Sequence, residues 1–280
     1  MGSREKYLIV NADDFGYFHC VSRGILELAS LGVVTATGIM ANGTDFRTAR
    51  ETTTGGSLDY GVHLNLTYGV PLTAEMARAV AGWGGRFPSK SRMALAILSG
   101  RIGLSDVERE WRAQIQCCLD EGVPLRFLNS HEHIHMLPPL YRLAKRLARE
   151  FSIDHVRHTQ PEWGFPLGVA AMVRNAVMQS CNILNPRFRG ERTPRLVGLN
   201  RSGKLDIEYL DRLFSGFSSG KIYELMCHPG HLDSAEIRDP RLLAYHRWEQ
   251  EFELLSSSSF LELCQKYHVH LVGYGNLPKG

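Results

Sequence analysis

The chain has 280 residues, 44% hydrophobic and 22% charged, an ordinary globular composition long enough for one large α/β domain or two small ones. Its formal net charge is +3 with a pI near 8.5, and no run of five or six Lys/Arg occurs, so nucleic acid is not indicated as a partner. Six cysteines form no C-x-x-C pair, which fits free thiols in a reducing compartment better than a disulfide framework or a cysteine zinc site.

The first residues, Met1 to Lys6, are polar and lead at once into an apolar run. No export-type h-region and no 18-residue apolar stretch occurs, and Lys6 breaks the myristoylation pattern. The expectation is a cytoplasmic chain with no integral membrane segment. The N-x-S/T sequons at Asn42, Asn65 and Asn200 then carry no weight.

Strand and helix patterns alternate. Leu8-Ile9-Val10 is a strand ending in polar residues. Val21, Ile25, Leu28 and Ala29 have helical spacing, closed by Gly32. Val33–Ala41 reads as a second strand, Asp45 as the cap of a short helix to Glu51, 52–57 as a turn, and Leu58–Leu66 as strand three. Residues 67–104 are less regular, with a loop at 82–88 and a short helix at Met93–Leu98. Ser105 with Glu108 forms a capping-box pattern for a helix to Asp120. Leu125–Ser130 is strand four, Pro138-Pro139 opens a helix with Leu140, Leu143, Ala144 and Leu147 on its apolar side, and Ile153–His158 is strand five. Helix Leu167–Met178, strand Arg195–Leu199, helix Asp206–Phe214, strand Ile222–Cys227, helices Leu242–Leu255 and Phe260–Tyr267, and strand Val269–Tyr274 complete the chain. No linker or internal repeat interrupts this order, so residues 1–280 read as one domain. Seven or eight strands separated by helices predict a (β/α) barrel with one repeat distorted or missing. An open doubly wound sheet is the alternative, although no G-x-G-x-x-G follows strand one.

Four strand ends carry chemistry. Asp13-Asp14 closes strand one; two adjacent carboxylates are costly without a cation or proton between them, which suggests one ligand and one base, although a solvated turn also fits. His63 lies in Gly61-Val62-His63-Leu64-Asn65-Leu66, where a lone strand histidine is more often a hydrogen-bonded core residue than a ligand. His131, His133 and His135 share strand parity, and three imidazoles on one face are hard to explain without a metal that takes them neutral. One or two are expected to bind it, the rest to support it or touch substrate. His228 precedes Pro229-Gly230, which holds it extended at a strand end, as suits a fixed acid. In a parallel α/β protein all these ends face one side. No G-x-S-x-G, P-loop or H-E-x-x-H is present.

Asn11-Ala12-Asp13-Asp14-Phe15-Gly16, Gly61-Val62-His63-Leu64-Asn65-Leu66, Ser130-His131-Glu132-His133-Ile134-His135 and His228-Pro229-Gly230 resemble, in order, the motifs of the YdjC-like carbohydrate deacetylases, which include chitooligosaccharide and hopanoid-associated members. The likeness runs from residue 7 to about residue 274. It implies a single-domain deviant (β/α) barrel related to polysaccharide deacetylases. By resemblance Asp13 matches the base, Asp14, His63 and His131 the ligands of one divalent metal ion (Zn²⁺ or Mg²⁺, with Mn²⁺ and Co²⁺ compatible), and His228 the acid. Arg157, with His133 and His135, is expected near the substrate, an N-acetylated sugar, oligosaccharide or glycolipid. Two positions depart from the family pattern: Asn129, where many members have Asp, and Ser22, where Asn is common. The usual chitooligosaccharide substrate is correspondingly less secure. Hydrolysis of a phosphoester or lactone at the same rim, and a non-catalytic sugar-binding relative, are the rival readings; neither Asp13 nor His228 is lost, as the latter would favour. Trp83, Trp163 and Phe165 fit sugar stacking, with packing in the core or at a homodimer contact slightly favoured.

Overall fold

Strand β1 (Lys6–Phe15) is the axis of the structure, a computed structural model that describes residues 5–47, 58–163, 168–185 and 193–277. From Leu8 to Phe15 every residue is buried, as expected of a strand covered on both faces, and this is why its sequence is a continuous apolar run rather than an alternation. On one side of it lie β2 (Ala36–Ile39), β3 (Asp59–Leu64), β4 (Leu125–Ser130) and β5 (His155–Val156). On the other lie β7 (Ile222–Cys227) and β6 (Arg195–Val197), giving the order β5-β4-β3-β2-β1-β7-β6. The last strand, β8 (Val269–Leu271), pairs with the start of β1. Every pairing is parallel. The two ends of the order, β5 and β6, share no pairing among the described residues, so the curled sheet is a barrel left open between them. The expected α/β barrel with one imperfect repeat is therefore what the chain forms.

Helices follow the strands: α1 (His19–Ser30), α2 (Ala74–Ala79), α3 (Lys90–Leu98), α4 (Leu104–Asp120), α5 (Pro138–Glu150), α6 (Val169–Leu184), α7 (Ile207–Ser215), α8 (Pro240–Tyr245), α9 (Trp248–Ser256) and α10 (Ser258–Lys266). The inner face of α1 buries Val21, Ile25 and Leu28, and α5 buries Leu140, Leu143, Ala144 and Leu147, as their periodicity requires. Trp111 and Trp248 are fully buried core residues. Trp83 packs half-buried against the core beneath the Arg101 guanidinium, whereas Trp163 is exposed. All six cysteines are unpaired.

Several boundaries differ from the sequence expectation. The capping box does not form: Gly103 is the N-cap of α4, and Glu108 instead pairs with Arg112 and Arg146. The expected helix Leu242–Leu255 is two helices, because His246 is extended (ψ 142°) and turns its ring inward. Strand six stops at Val197, where Gly198 takes a left-handed conformation (φ 98°) that a β-carbon would obstruct, 2.7 Å from the Met226 carbonyl oxygen. Strand five is two residues long; the Arg157 N–H after it still donates to the Leu128 carbonyl oxygen, while the Arg157 side chain reaches Asp13. The end of the expected 45–51 helix, the 52–57 turn, Leu167 and Phe165 lie outside the described residues.

Candidate metal centre and catalytic pocket

Adjacent residues of a regular strand point to opposite faces, so Asp13 and Asp14 cannot share a site unless the strand is interrupted. It is. Between Ala12 and Phe15, β1 spends one residue more than β2 does between Thr37 and Ile39. Asp14 takes up the extra residue with φ 72°, a conformation aspartate tolerates better than most residues. Both carboxylates are buried at the barrel rim with quite different partners. Arg157 grips Asp13 with two hydrogen bonds of 2.6 and 2.9 Å, and the Asn129 amide donates a third at 2.8 Å. Burial raises the Asp13 carboxyl, but the charges of Arg157 and His63 more than offset it and hold the group below its ordinary range. Behind this pair, Arg157 and Asn11 both donate to Glu224, a carboxylate buried in β7.

Asp14 faces two imidazoles. Its Oδ1 lies 3.2 Å from His63 Nε2 and 3.0 Å from His131 Nδ1, while Oδ2 is buried with no partner. Asp14, His63 and His131 form a buried group whose ligand atoms all lie within 4.8 Å of one another. Burial raises the Asp14 carboxyl and the His131 and His63 rings pull it well below its usual range; burial lowers His131, and Asp14 raises it further than that. The donor set fits a divalent ion. Metal–ligand bonds of about 2.0–2.2 Å separate neighbouring ligands by roughly 3 Å, the spacing of Asp14 from His63 and from His131 here. An orphaned carboxylate oxygen amid two imidazoles is also what such an ion would satisfy.

The three histidines after β4 do not stay on one strand face. The strand ends at Ser130, and His131–Met136 is a 3-10 turn in which Glu132 and His133 have φ of 52° and 56°. The turn sends the rings to different places. His131 joins the metal group. His133 lines the pocket with its Nδ1 3.1 Å from the Thr159 hydroxyl. His135 is fully buried, Nδ1 against the Ser130 hydroxyl at 2.5 Å and Nε2 against the Arg157 carbonyl oxygen at 2.9 Å. Of the three expected substrate contacts, only His133 therefore reaches the pocket. His135 and Arg157 are sealed beneath it and hold the Asp13 wall in place.

His228 follows β7 on the opposite wall. Its backbone N–H donates to Glu251 of α9, which also accepts from the Leu205 N–H, and its Nδ1 is buried without a partner. Burial disfavours the imidazolium and, despite the Asp14 and Asp13 charges, holds His228 below its ordinary range. His246 stands 5.0 Å away, stacked 4.6 Å over Trp248. The turn after His228 fits because two glycines meet: a β-carbon on Gly24 would lie 2.7 Å from Gly230 Cα, and one on Gly230 would lie 2.9 Å from Val21 Cα. Asp13, His63, His131, His133, His228 and His246 share one cavity of about 360 Å³, large enough for a sugar residue or two. Glu224, Glu251 and His246 were not legible as site residues, and Asn129 stood out only as a departure from the family pattern. Glu224 left one signal, a charge inside the apolar run Ile222–Cys227.

Residues 7–266 match the family model described as YdjC-like protein. The carbohydrate deacetylase of Halalkalibacterium halodurans is 32% identical over 91% of this chain and 97% of its own. The chitooligosaccharide deacetylase of Yersinia enterocolitica is 30% identical over 97% and 99%. A solved structure from Enterococcus faecalis, provisionally described as a cellobiose-phosphate cleavage protein, superposes with a TM-score of 0.73 at 26% identity, covering 98% of this chain and 100% of that one.

Proposed function

From the premise that this chain belongs to the YdjC-like family, we propose that it is a metal-dependent hydrolase that removes the N-acetyl group from an amino sugar in an oligosaccharide or glycolipid. The observation that carries this reading is the meeting of Asp14, His63 and His131 with Asp13 and His228 around one cavity, in a chain whose relatives are named deacetylases. Asp14, His63 and His131 would hold one divalent ion, with imidazoles favouring Zn²⁺ over Mg²⁺. When bound, the ion supplies Lewis acidity toward the acetyl oxygen and makes water acidic enough to react near neutral pH.

The remaining work falls to side chains. Asp13 accepts the proton of the attacking water. Its Oδ2 receives one N–H, from Arg157, and keeps a lone pair for that purpose. Arg157, paired with both Asp13 and Glu224, holds the base rigidly and ionised. His228 protonates the leaving nitrogen, which an amide requires because an amide anion departs too slowly. Burial, which disfavours its charged form, makes it the stronger acid once protonated. His133 at the rim contacts the sugar.

Acetate release from a panel of N-acetylated sugars and glycolipids, with and without added divalent metal, tests the reading. His63→Ala and His131→Ala should each lose metal and turnover together; full metal occupancy in both variants would remove the assignment. A second reading keeps the site and changes the bond, to a phosphoester on a sugar. It is favoured by one feature of the cavity wall: Lys90 and Arg241 are paired with Glu132 and Asp239, but Arg174 has no ion pair among the described residues and its Nε is buried without a partner. Release of inorganic phosphate instead of acetate would select it.

A further inference from the structure

We propose that Asn129 is a positioning residue that orients the base Asp13 and the ligand His63 at once, by fixing which nitrogen of His63 carries the proton. The inference rests on the reading of His63 as a ligand and extends it to the residue behind.

The order of donors along this chain of side chains is forced. Asp13, clamped by Arg157, only accepts hydrogen bonds. The Asn129 atom 2.8 Å from Asp13 Oδ1 is therefore its NH₂ group. The other end of the amide, Oδ1, then lies 2.8 Å from His63 Nδ1 and accepts, so His63 carries its hydrogen on Nδ1. In the neutral ring that leaves a lone pair on Nε2, the nitrogen 3.2 Å from Asp14 Oδ1. A lone pair facing a carboxylate oxygen is repulsive unless a cation lies between them, so the tautomer and the metal group imply each other. Turning the amide over would set its oxygen against Asp13, two acceptors face to face.

The strands make room for this arrangement. His63 and Asn129 are directly paired in the β3–β4 register. On β2, Gly38, the register partner of Gly61, leaves space beside this pair: a β-carbon there would lie 3.0 Å from Asn129 Oδ1 and 3.2 Å from His63 Cβ. Asn129 is wholly buried, so no solvent competes for either hydrogen bond. A carboxylate at 129 could accept from His63 but could not donate to Asp13. An alanine could do neither.

The test reads tautomer and metal rather than turnover. Nitrogen-15 NMR of the histidine rings in the Zn²⁺-loaded protein should show His63 as the Nδ1–H form. Asn129→Ala should lose that preference and weaken Zn²⁺ binding, measured by chelator competition, by roughly 10–100-fold, the range for residues that support a ligand from behind. Asn129→Asp should keep both, because it keeps an acceptor for His63. Gly38→Ala crowds the Asn129 amide and the His63 β-carbon together; it should weaken binding in the same direction, and keeps the proposal testable if Asn129→Ala does not fold. An Nε2–H ring in the wild type, or Zn²⁺ affinity unchanged within twofold in folded Asn129→Ala, would overturn the proposal. Metal and tautomer effects as expected with no acetate released would leave it standing and remove the deacetylase reading; a wild type that binds no divalent ion would overturn both.

Discussion

Asp13 and Asp14 are chemically identical neighbours that the surroundings make different. Asp13 is clamped by fixed donors, Arg157 and Asn129, with a lone pair left on Oδ2, whereas Asp14 has two imidazoles on one oxygen and nothing on the other. A clamped carboxylate with one lone pair free is held in place to take a proton; one with a bare oxygen among imidazoles is set to take a cation. Asp13→Asn should accordingly retain metal and lose turnover, and Asp14→Asn should lose both, as checked by metal analysis alongside rate. Reversed occupancies would exchange the roles. For His228 the discriminating comparison is between substrates. His228→Ala should cut amide cleavage by roughly 10²–10⁴-fold, the contribution of a positioned acid, with much smaller loss on an activated acetyl ester whose leaving group departs unprotonated. Metal content should stay at the wild-type level, and equal losses on both substrates would mean that the ring orients substrate instead.

Local departures from regular structure build the site. The bulge in β1 turns Asp14 to the side of Asp13, the left-handed pair Glu132-His133 splits the three histidines, and the break between α8 and α9 brings His246 against His228. Non-glycine residues at positive φ cost about 1–3 kcal/mol each and persist where surrounding contacts over-determine them; here three of them, Asp14, Glu132 and His133, fall on the metal wall. The close approach of α1 to the turn after β7 is equally specific. Gly230→Ala would place a methyl 2.9 Å from the Val21 backbone, with no flexible side chain to yield. It should cost about 1–3 kcal/mol in stability, read as a lower denaturant midpoint, and should displace His228 so that kcat falls while bound metal does not. A midpoint equal to the wild type would show that the turn relaxes freely.

Across the molecule, buried histidines make the fold sensitive to acid. Burial pushes His135 and His246 down to about 3, against an ordinary value near 6.5. A depressed histidine contributes stability above its unfolded pKa and loses it as pH falls, because only the unfolded chain takes up the proton. Glu251 works the other way: burial raises it to about 7, so the folded chain holds one proton the unfolded chain has released above about 4.5. Between pH 6.5 and 4.5 these three groups leave the unfolded state ahead by one proton. Stability should therefore fall by about 1.4 kcal/mol per pH unit on acidification. His228 and His133, also depressed, steepen the fall. His246→Phe, which keeps the stack on Trp248, should flatten the slope by one proton in denaturant titrations at stepped pH. An unchanged slope would mean that His246 ionises in the folded protein. Among the described residues no helix is long and apolar enough to cross a membrane.

The succession of strands and helices along the chain, the helix faces and the four motifs at strand ends were readable from residue pattern, because burial on both faces of a parallel sheet leaves continuous apolar runs and the polar residues that interrupt them stand out. Asp13, Asp14, His63, His131 and His228 were legible for that reason, and the structure brings them to one rim. Two expectations failed in the same way. Three histidines at alternate positions assume an unbroken strand, and a helix from Leu242 to Leu255 assumes an unbroken helix; both segments bend because partners distant in the chain hold them bent, Arg157 and Thr159 for the histidine turn and His228 for His246. Periodicity reports only on neighbours a few residues apart. The place of Arg157 under Asp13, 144 residues away, and of Asn129 between Asp13 and His63, 116 and 66 residues away, follows from strand register and barrel curvature, and these exist only once the sheet has closed around β1.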